Sequence, residues 1–271
     1  MSTENQAQLV LASLAALALV AVLLDIRKAG SFGVWFLARS MRVFTLLRYN
    51  QRMLGPCPLP EVGGALIVAN HRSPVDPVLM WVSSFRKREG MSFRIIEYLT
   101  AAEYCELGGL VGWVTGLARV IPVARNGQDT KSAKESLRRL RDGHVVGIYP
   151  EGGINLGKGL REFNSGVGWL ALRGNQPVYP VYIRNAPQAN GMVASFLISQ
   201  PADVIWGEPI DLSRWADRKP TAEVLEEVTE HLKQSVARLA YRRPLRPGMD
   251  AERARMPRPA CIGCSGAGCG R

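Results

Sequence analysis

The chain has 271 residues, 47% of them hydrophobic, enough to bury one substantial core and to exclude wholesale disorder. Its formal charge of +11 is unevenly placed: residues 25–52 hold six Lys/Arg against one acid, residues 242–271 hold seven against two, and residues 53–241 are nearly balanced. A nucleic-acid binder carries its basic stripe on the folded domain, so this distribution argues against nucleic acid as a partner and for an anionic membrane surface.

Residues 9–24 form an uninterrupted apolar or small stretch with Ser13 as its one mild exception. At about 1.5 Å per residue this covers roughly 24 Å, short of a hydrocarbon core of about 30 Å. No Lys or Arg precedes it, and Asp25-Ile26-Arg27 stands where a secretory cleavage site belongs, so a signal peptide is not expected. Residues 32–48 mix Phe32, Trp35, Phe36, Val43, Phe44 and Leu47 with Arg39 and Arg42, the pattern of an interfacial helix. If the first helix spans, the Arg/Lys excess after it places the remaining chain on the cytoplasmic face of the membrane.

After the turn-rich residues 55–60, strand-like and helix-like segments alternate. This predicts an α/β layered domain over 53–241, with a largely parallel or mixed sheet flanked by helices and preceded by a membrane-associated helical pair over 1–52. Strands are expected near 65–69, 93–96, up to Val123, 145–149, 178–183 and 203–206. Helices are expected from Pro74, over 104–117, 129–141 and 165–173, and from Thr221, the last burying Leu225, Val228, Leu232, Val236 and Leu239. The Arg/Pro/Gly-rich residues 242–271 read as a disordered tail.

Three segments carry candidate chemistry. Asn70-His71-Arg72-Ser73-Pro74-Val75-Asp76 sets a histidine five residues ahead of an aspartate at the end of a buried strand, the layout of a carboxylate-held general base. The same residues also make a good helix start, with Ser73 as N-cap, Pro74 in the first helical position and Asp76 as the capping acid. Tyr149-Pro150-Glu151-Gly152-Gly153 is the second segment, because paired glycines let backbone N–H groups approach an anion, and Lys158 and Arg161 follow closely. Gly152 to Gly159 nearly spells a nucleotide P-loop, but Gly159 stands where a metal-holding Ser or Thr is needed. Arg125, ending a strand-like run, is the third. Ser165 lacks the spacing of a hydrolase nucleophile, and His144 and His231 have no local partner pattern, so both read as structural.

The five cysteines, Cys57, Cys105, Cys261, Cys264 and Cys269, are odd in number and scattered, which suits reduced thiols rather than a disulfide framework. Cys261, Cys264 and Cys269 follow one copy of a C-x-x-C-x-G-x-G pattern similar to the zinc repeats of a co-chaperone family. They supply three ligands where a closed zinc site needs four, so no metal is expected.

Taken together these blocks resemble the glycerolipid acyltransferase family, typified by 1-acylglycerol-3-phosphate acyltransferases, over about residues 60–185. Asn70-His71-x-x-x-x-Asp76 is similar to the family's catalytic block, Gly112 to Arg125 to its second, Pro150-Glu151-Gly152 to its third and Val178-Tyr179-Pro180-Val181 to its fourth. The resemblance implies that His71 is the base, that Asp76 orients it, and that Arg125 binds the acceptor phosphate. It implies further that Glu151, Gly152 and Gly153 arrange the head group. Membrane lipids and acyl-CoA or acyl-carrier protein are the implied partners, the thioester being a co-substrate, with no cofactor. The family usually continues Pro-Glu-Gly with Thr-Arg and has Phe-Lys further on; here Gly153-Ile154 and Phe163-Asn164 stand in those places, leaving Arg125, Lys158 and Arg161 as the candidate phosphate cations.

Overall fold

The computed structural model describes residues 3–54, 57–87, 90–91, 94–124, 130–189 and 191–242. Two helices open the chain, α1 (Thr3–Ala29) and α2 (Phe32–Tyr49). Strands β1 (Arg52–Leu54) and β2 (Ala65–Ala69) lead to α3 (Asp76–Ser84), then to a two-stranded ribbon of β3 (Arg86–Lys87) and β4 (Gly90–Met91). There follow β5 (Ile96–Ala101), α4 (Ala102–Cys105), α5 (Gly109–Leu117), β6 (Ile121–Val123), α6 (Thr130–Arg141), β7 (Val145–Ile148) and α7 (Gly166–Gly174). The chain continues through β8 (Val178–Arg184), α8 (Met192–Leu197), β9 (Asp203–Trp206), a 3₁₀ turn (Ser213–Trp215) and α9 (Ala222–Leu239).

Seven strands form one sheet in the order β1-β9-β8-β2-β7-β5-β6. Every neighbouring pair is parallel except β8 and β9, which run antiparallel, so the sheet is mixed. All five residues of β2 are buried, because the strand is covered on both faces. Ala65, Ile67 and Ala69 enter one apolar cluster with Tyr49, Leu79 and Met80 of α2 and α3. Leu66 and Val68 enter the other, with Leu140 of α6, Val167 and Leu170 of α7, and the stripe Val224, Val228, Leu232 and Val236 of α9. β2 and β7 are adjacent, with Val68 opposite Ile148, so the loops leaving their C-terminal ends lie side by side.

Several boundaries differ from the sequence expectation, each for a local reason. The strand expected near 93–96 begins at Ile96, where backbone pairing with Val145 of β7 starts, and the Arg94 guanidinium just before it bonds the carbonyls of Pro60, Gly63 and Gly143. The helix expected over 104–117 is broken over 106–108, just ahead of Gly109, whose φ of +62° a right-handed helix cannot carry through. On α9 the buried position of the first turn is Val224, with Leu225 only half-buried. Thr221 caps that helix by accepting the Val224 N–H at 3.4 Å.

Among the described residues one helix, α1, is long and apolar enough to cross a membrane, and none of its residues is buried against the protein. The helix extends beyond the apolar stretch at both ends. An ion pair between Asp25 of α1 and Arg39 of α2 ties the two helices together. At the opposite end of the sheet from the β2 and β7 loops, buried Glu97 accepts from Arg139 and pairs with His144 Nδ1, both at 2.8 Å. Glu97 and His144 thus join the beginnings of β5 and β7 to α6.

Candidate active site

His71 lies just past β2, and Asp76 begins α3. The five-residue spacing lets the chain turn back on itself, and Asp76 Oδ2 meets His71 Nδ1 at 3.0 Å. The same oxygen accepts the backbone N–H of Arg72 at 2.5 Å and of Ser73 at 2.8 Å. The carboxylate therefore closes the helix start and holds the imidazole with one atom, so the two readings of this segment coexist. The N-cap position falls at Val75, two residues beyond Ser73, whose hydroxyl instead donates to the Pro187 carbonyl and accepts from Val75 N.

Asp76 is fully buried and its side chain 0% exposed, against 18% for His71. Burial pushes the Asp76 carboxyl upward, opposed first by the His71 hydrogen bond and charge and then by the Ser73 and Arg72 N–H groups. Three N–H donors converging on Oδ2 nonetheless require that oxygen to be unprotonated. Oδ1 has no hydrogen-bond partner among the described residues.

The imidazole is backed by aromatic rings. Tyr149 stacks on His71 with centroids 4.3 Å apart and planes 19° from parallel, and Tyr98 lies 5.9 Å beyond Tyr149 at 6°. This stack depends on Gly147, where a Cβ would sit 2.8 Å from the Tyr98 ring. Burial raises both phenols well above their ordinary range, with further contributions from the Asp76 charge, so both stay protonated. Tyr98 donates to the Pro77 carbonyl at 2.9 Å, whereas the buried Tyr149 hydroxyl has no partner among the described residues.

Glu151, leaving β7, is buried and aimed inward at protein groups. Oε1 accepts the His71 backbone N–H at 2.9 Å, and Oε2 accepts from Asn155 Nδ2 at 2.6 Å and from Arg161 N at 2.9 Å. Asn155 completes the knot: its N–H donates to the His71 carbonyl at 2.8 Å, its Nδ2 to the Gly159 carbonyl at 2.9 Å, and its Oδ1 accepts from Gly157 N at 2.9 Å. Arg72 adds a bond to the Gly157 carbonyl. Residues 151–161 are thereby folded against the His71 backbone.

Gly152 has φ +72°, and a Cβ there would lie 2.9 Å from Asn164 Nδ2, which itself donates to the Pro150 carbonyl at 3.1 Å. Around Gly153 a Cβ would meet nothing within 4 Å. Lys158 and Arg161 have exposed side chains with no ion pair among the described residues. The fold thus brings His71, Asp76, Glu151, Gly152, Gly153, Lys158 and Arg161 to one end of the sheet. Arg125 and the tail cysteines Cys261, Cys264 and Cys269 lie outside the described residues.

Tyr98 and Asn155 were not read as site residues from sequence, and Tyr149 stood in the second candidate segment without a role of its own. Asn155, two residues before Gly157, carried a legible signal as an Asx turn, but its partner His71 lies 84 positions away. Among the described residues no cluster of three or more His, Cys, Asp or Glu is arranged to hold a metal. A groove of 810 Å³ between the starts of α7 and α9 is lined by Glu162, Glu223, Glu226, Glu227 and Glu230. Its carboxylates repel an anionic head group, and His71 is not among its lining residues.

This geometry can be compared with known proteins. An acyltransferase family model matches residues 51–184. A 1-acyl-sn-glycerol-3-phosphate acyltransferase of Bacillus subtilis is 24% identical over 204 residues, covering 75% of this chain and 95% of that protein. A human 1-acyl-sn-glycerol-3-phosphate acyltransferase beta is 30% identical over 149 residues, covering 54% of this chain and 50% of that protein. The crystal structure of the 1-acyl-sn-glycerophosphate acyltransferase of Thermotoga maritima superposes with a TM-score of 0.56 at 19% identity, over 78% of this chain and 82% of that one. Its likeness extends to the mixed sheet with flanking helices. Residues 51–184 of the chain thus match an acyltransferase family model, and the chain is similar in sequence to 1-acyl-sn-glycerol-3-phosphate acyltransferases and in fold to one of known structure.

Proposed function

We propose that this acyltransferase moves a fatty acyl group from acyl-CoA or acyl-carrier protein to the free hydroxyl of 1-acyl-sn-glycerol-3-phosphate, at the cytoplasmic face of a membrane. The observation that carries this reading is the His71–Asp76 pair at 3.0 Å, at the C-terminal edge of a central parallel strand. Asp76 fixes the proton on Nδ1, leaving Nε2 as the basic nitrogen.

His71 Nε2 takes the proton of the acceptor hydroxyl as that oxygen attacks the thioester carbonyl. The carbon–oxygen bond forms, the tetrahedral intermediate collapses with cleavage of the carbon–sulfur bond, and the imidazolium returns its proton to the departing thiolate. Asp76 stabilises the imidazolium in between. A thioester is already activated, so no acyl-enzyme is required. Base catalysis of this kind contributes about 10²- to 10⁴-fold. The remainder comes from aligning two amphipathic substrates at one surface and from donors facing the developing oxyanion.

Lys158 and Arg161, exposed on the loop folded against His71, together with Arg125, supply positive charge for the acceptor phosphate. Glu151 and the Gly152-Gly153 backbone shape the floor under that head group. Helix α1 inserts its apolar stretch into the bilayer and α2 lies in the interface, with the Arg/Lys excess toward anionic lipid.

A second acceptor, a lysolipid with a non-phosphate head group or a glycolipid, is favoured by one specific observation. Asn164, in place of a lysine, is spent on Pro150, and Ile154, in place of an arginine, carries no charge. A non-catalytic lipid-binding role is disfavoured by the intact His71–Asp76 pair. Purified protein incubated with one acyl-CoA and a panel of lysolipids, read by mass spectrometry, decides among these. New acyl ester on lysophosphatidate at the highest rate supports the proposal; a preferred neutral acceptor replaces it with the second reading, and no product on any acceptor rejects catalysis.

A further inference from the structure

Helix α8 exposes apolar side chains that the fold does not use. Val193 is 73% exposed and Leu197 66%, four positions apart and so on one face, with Met192 beside them. The helix is nevertheless firmly built in. Ser195 is buried, its hydroxyl donating to the Gly191 carbonyl at 3.0 Å and accepting from Ala189 N at 3.3 Å. Phe196 packs on Phe44 of α2 at 6.1 Å between centroids, and its carbonyl accepts the Tyr49 hydroxyl at 3.1 Å. Arg48 donates to the Leu197 carbonyl, and Ser199 returns a bond to the Arg48 carbonyl at 2.7 Å.

The exposed face of α8 therefore adjoins the C-terminal end of α2, whose own outward residues Phe32, Phe36, Val43, Leu46 and Leu47 are apolar and exposed. A rigid helix holding two large aliphatic groups toward water, continuous with an apolar helical pair, fits a lipid surface. On its other side the segment before α8 is bonded to the catalytic loop. Ser73 donates to the Pro187 carbonyl, and Gln188 Nε2 to the Arg72 carbonyl at 3.0 Å.

We infer that α8 is a second membrane-contacting element, which inserts Val193 and Leu197 into the bilayer interface and holds the His71 loop at the depth of the acceptor hydroxyl. This rests on the reading that α1 and α2 engage a bilayer, and it adds a contact from within the catalytic domain. An anchor at the N-terminus alone tethers the domain; a contact at α8, bonded to the catalytic loop, orients it.

The test uses the full chain on vesicles of phosphatidylethanolamine and phosphatidylglycerol, with p-benzoylphenylalanine introduced singly at Val193, Leu197, Leu47 and Glu226. Photolysis should give lipid adducts at Val193, Leu197 and Leu47 and none at Glu226, which is exposed on α9. Adducts at Leu47 without any at Val193 or Leu197 overturn the inference while leaving the N-terminal anchor standing. Absence of adducts at Leu47 as well removes the bilayer reading itself. In a second arm, Val193→Asp with Leu197→Asp should slow transfer to a bilayer-embedded acceptor about tenfold. Transfer to a short-chain acceptor free in solution should stay within about twofold. Equal losses on both acceptors overturn the inference.

Discussion

Replacing Glu151 by Gln separates two roles for the third motif. The carboxylate is buried and takes three N–H donors, from His71, Asn155 and Arg161, at 2.6 to 2.9 Å. A carboxamide presents one acceptor and one donor, so in either orientation an N–H of the protein faces an N–H of the side chain. One charge-assisted hydrogen bond is lost, about 1.5–3 kcal/mol, and a buried donor is left unsatisfied, about 1–3 kcal/mol. Partial relaxation of the loop brings the expected loss to about 3 kcal/mol, a fall in Tm of roughly 6–12 °C for a chain of this size. Because Oε1 holds the His71 backbone, kcat should drop about 10²-fold through misplacement of the base. KM for the acceptor should change less than about threefold, since no substrate contact is removed. Thermal melts followed by circular dichroism, alongside steady-state thiol release, measure all three. An unchanged melt with a strongly raised acceptor KM would refute this reasoning and make Glu151 a head-group ligand.

Asp76→Asn should abolish most activity, by about 10²- to 10⁴-fold, without loosening the fold. The folded carboxyl titrates above its ordinary 3.8, chiefly because burial disfavours the charge. Its contribution to stability is therefore full below the ordinary value and lost as pH rises through the raised one. The variant should melt at or above the parent at pH 7, with the difference closing toward pH 4; a melt several degrees lower at pH 7 contradicts this. Gly147→Ala should cost about 1–3 kcal/mol, because its Cβ would lie 2.8 Å from the Tyr98 ring and 2.9 Å from Ile96 Cγ2. A urea titration giving parental stability would show that the aromatic stack shifts freely. Tyr149→Phe removes a buried hydroxyl that has no partner among the described residues and keeps the ring against His71, so Tm should hold or rise and kcat stay within about threefold. A tenfold loss would assign the hydroxyl a part in the chemistry.

Much of this architecture is legible from periodicity. Residues 65–69 read as a buried strand because both faces of β2 are covered, and residues 129–141 read as a polar helix because most of its charged side chains lie toward solvent, with Arg139 turning in to Glu97. The His71–Asp76 pair was visible because both partners lie within one turn of chain, where spacing alone limits the geometry. Glu151 was visible as a residue type but not in its use, since two of its three donors are backbone N–H groups, one of them 80 positions away. The uses of Asn155, Tyr149 and Tyr98 were hidden for the same reason: each acts through a neighbour that only the sheet order β2-β7-β5 brings alongside. The break before α5 turned on the left-handed backbone of Gly109, which composition does not distinguish from the neighbouring Gly108.

The central claim is that His71 is the base. Thiol release from acyl-CoA, measured with a saturating lysophospholipid acceptor, should fall about 10²- to 10⁴-fold in His71→Ala while the melting temperature stays within a few degrees of the parent. A folded His71→Ala protein that releases thiol and forms the acyl ester at near-parental rate would contradict it.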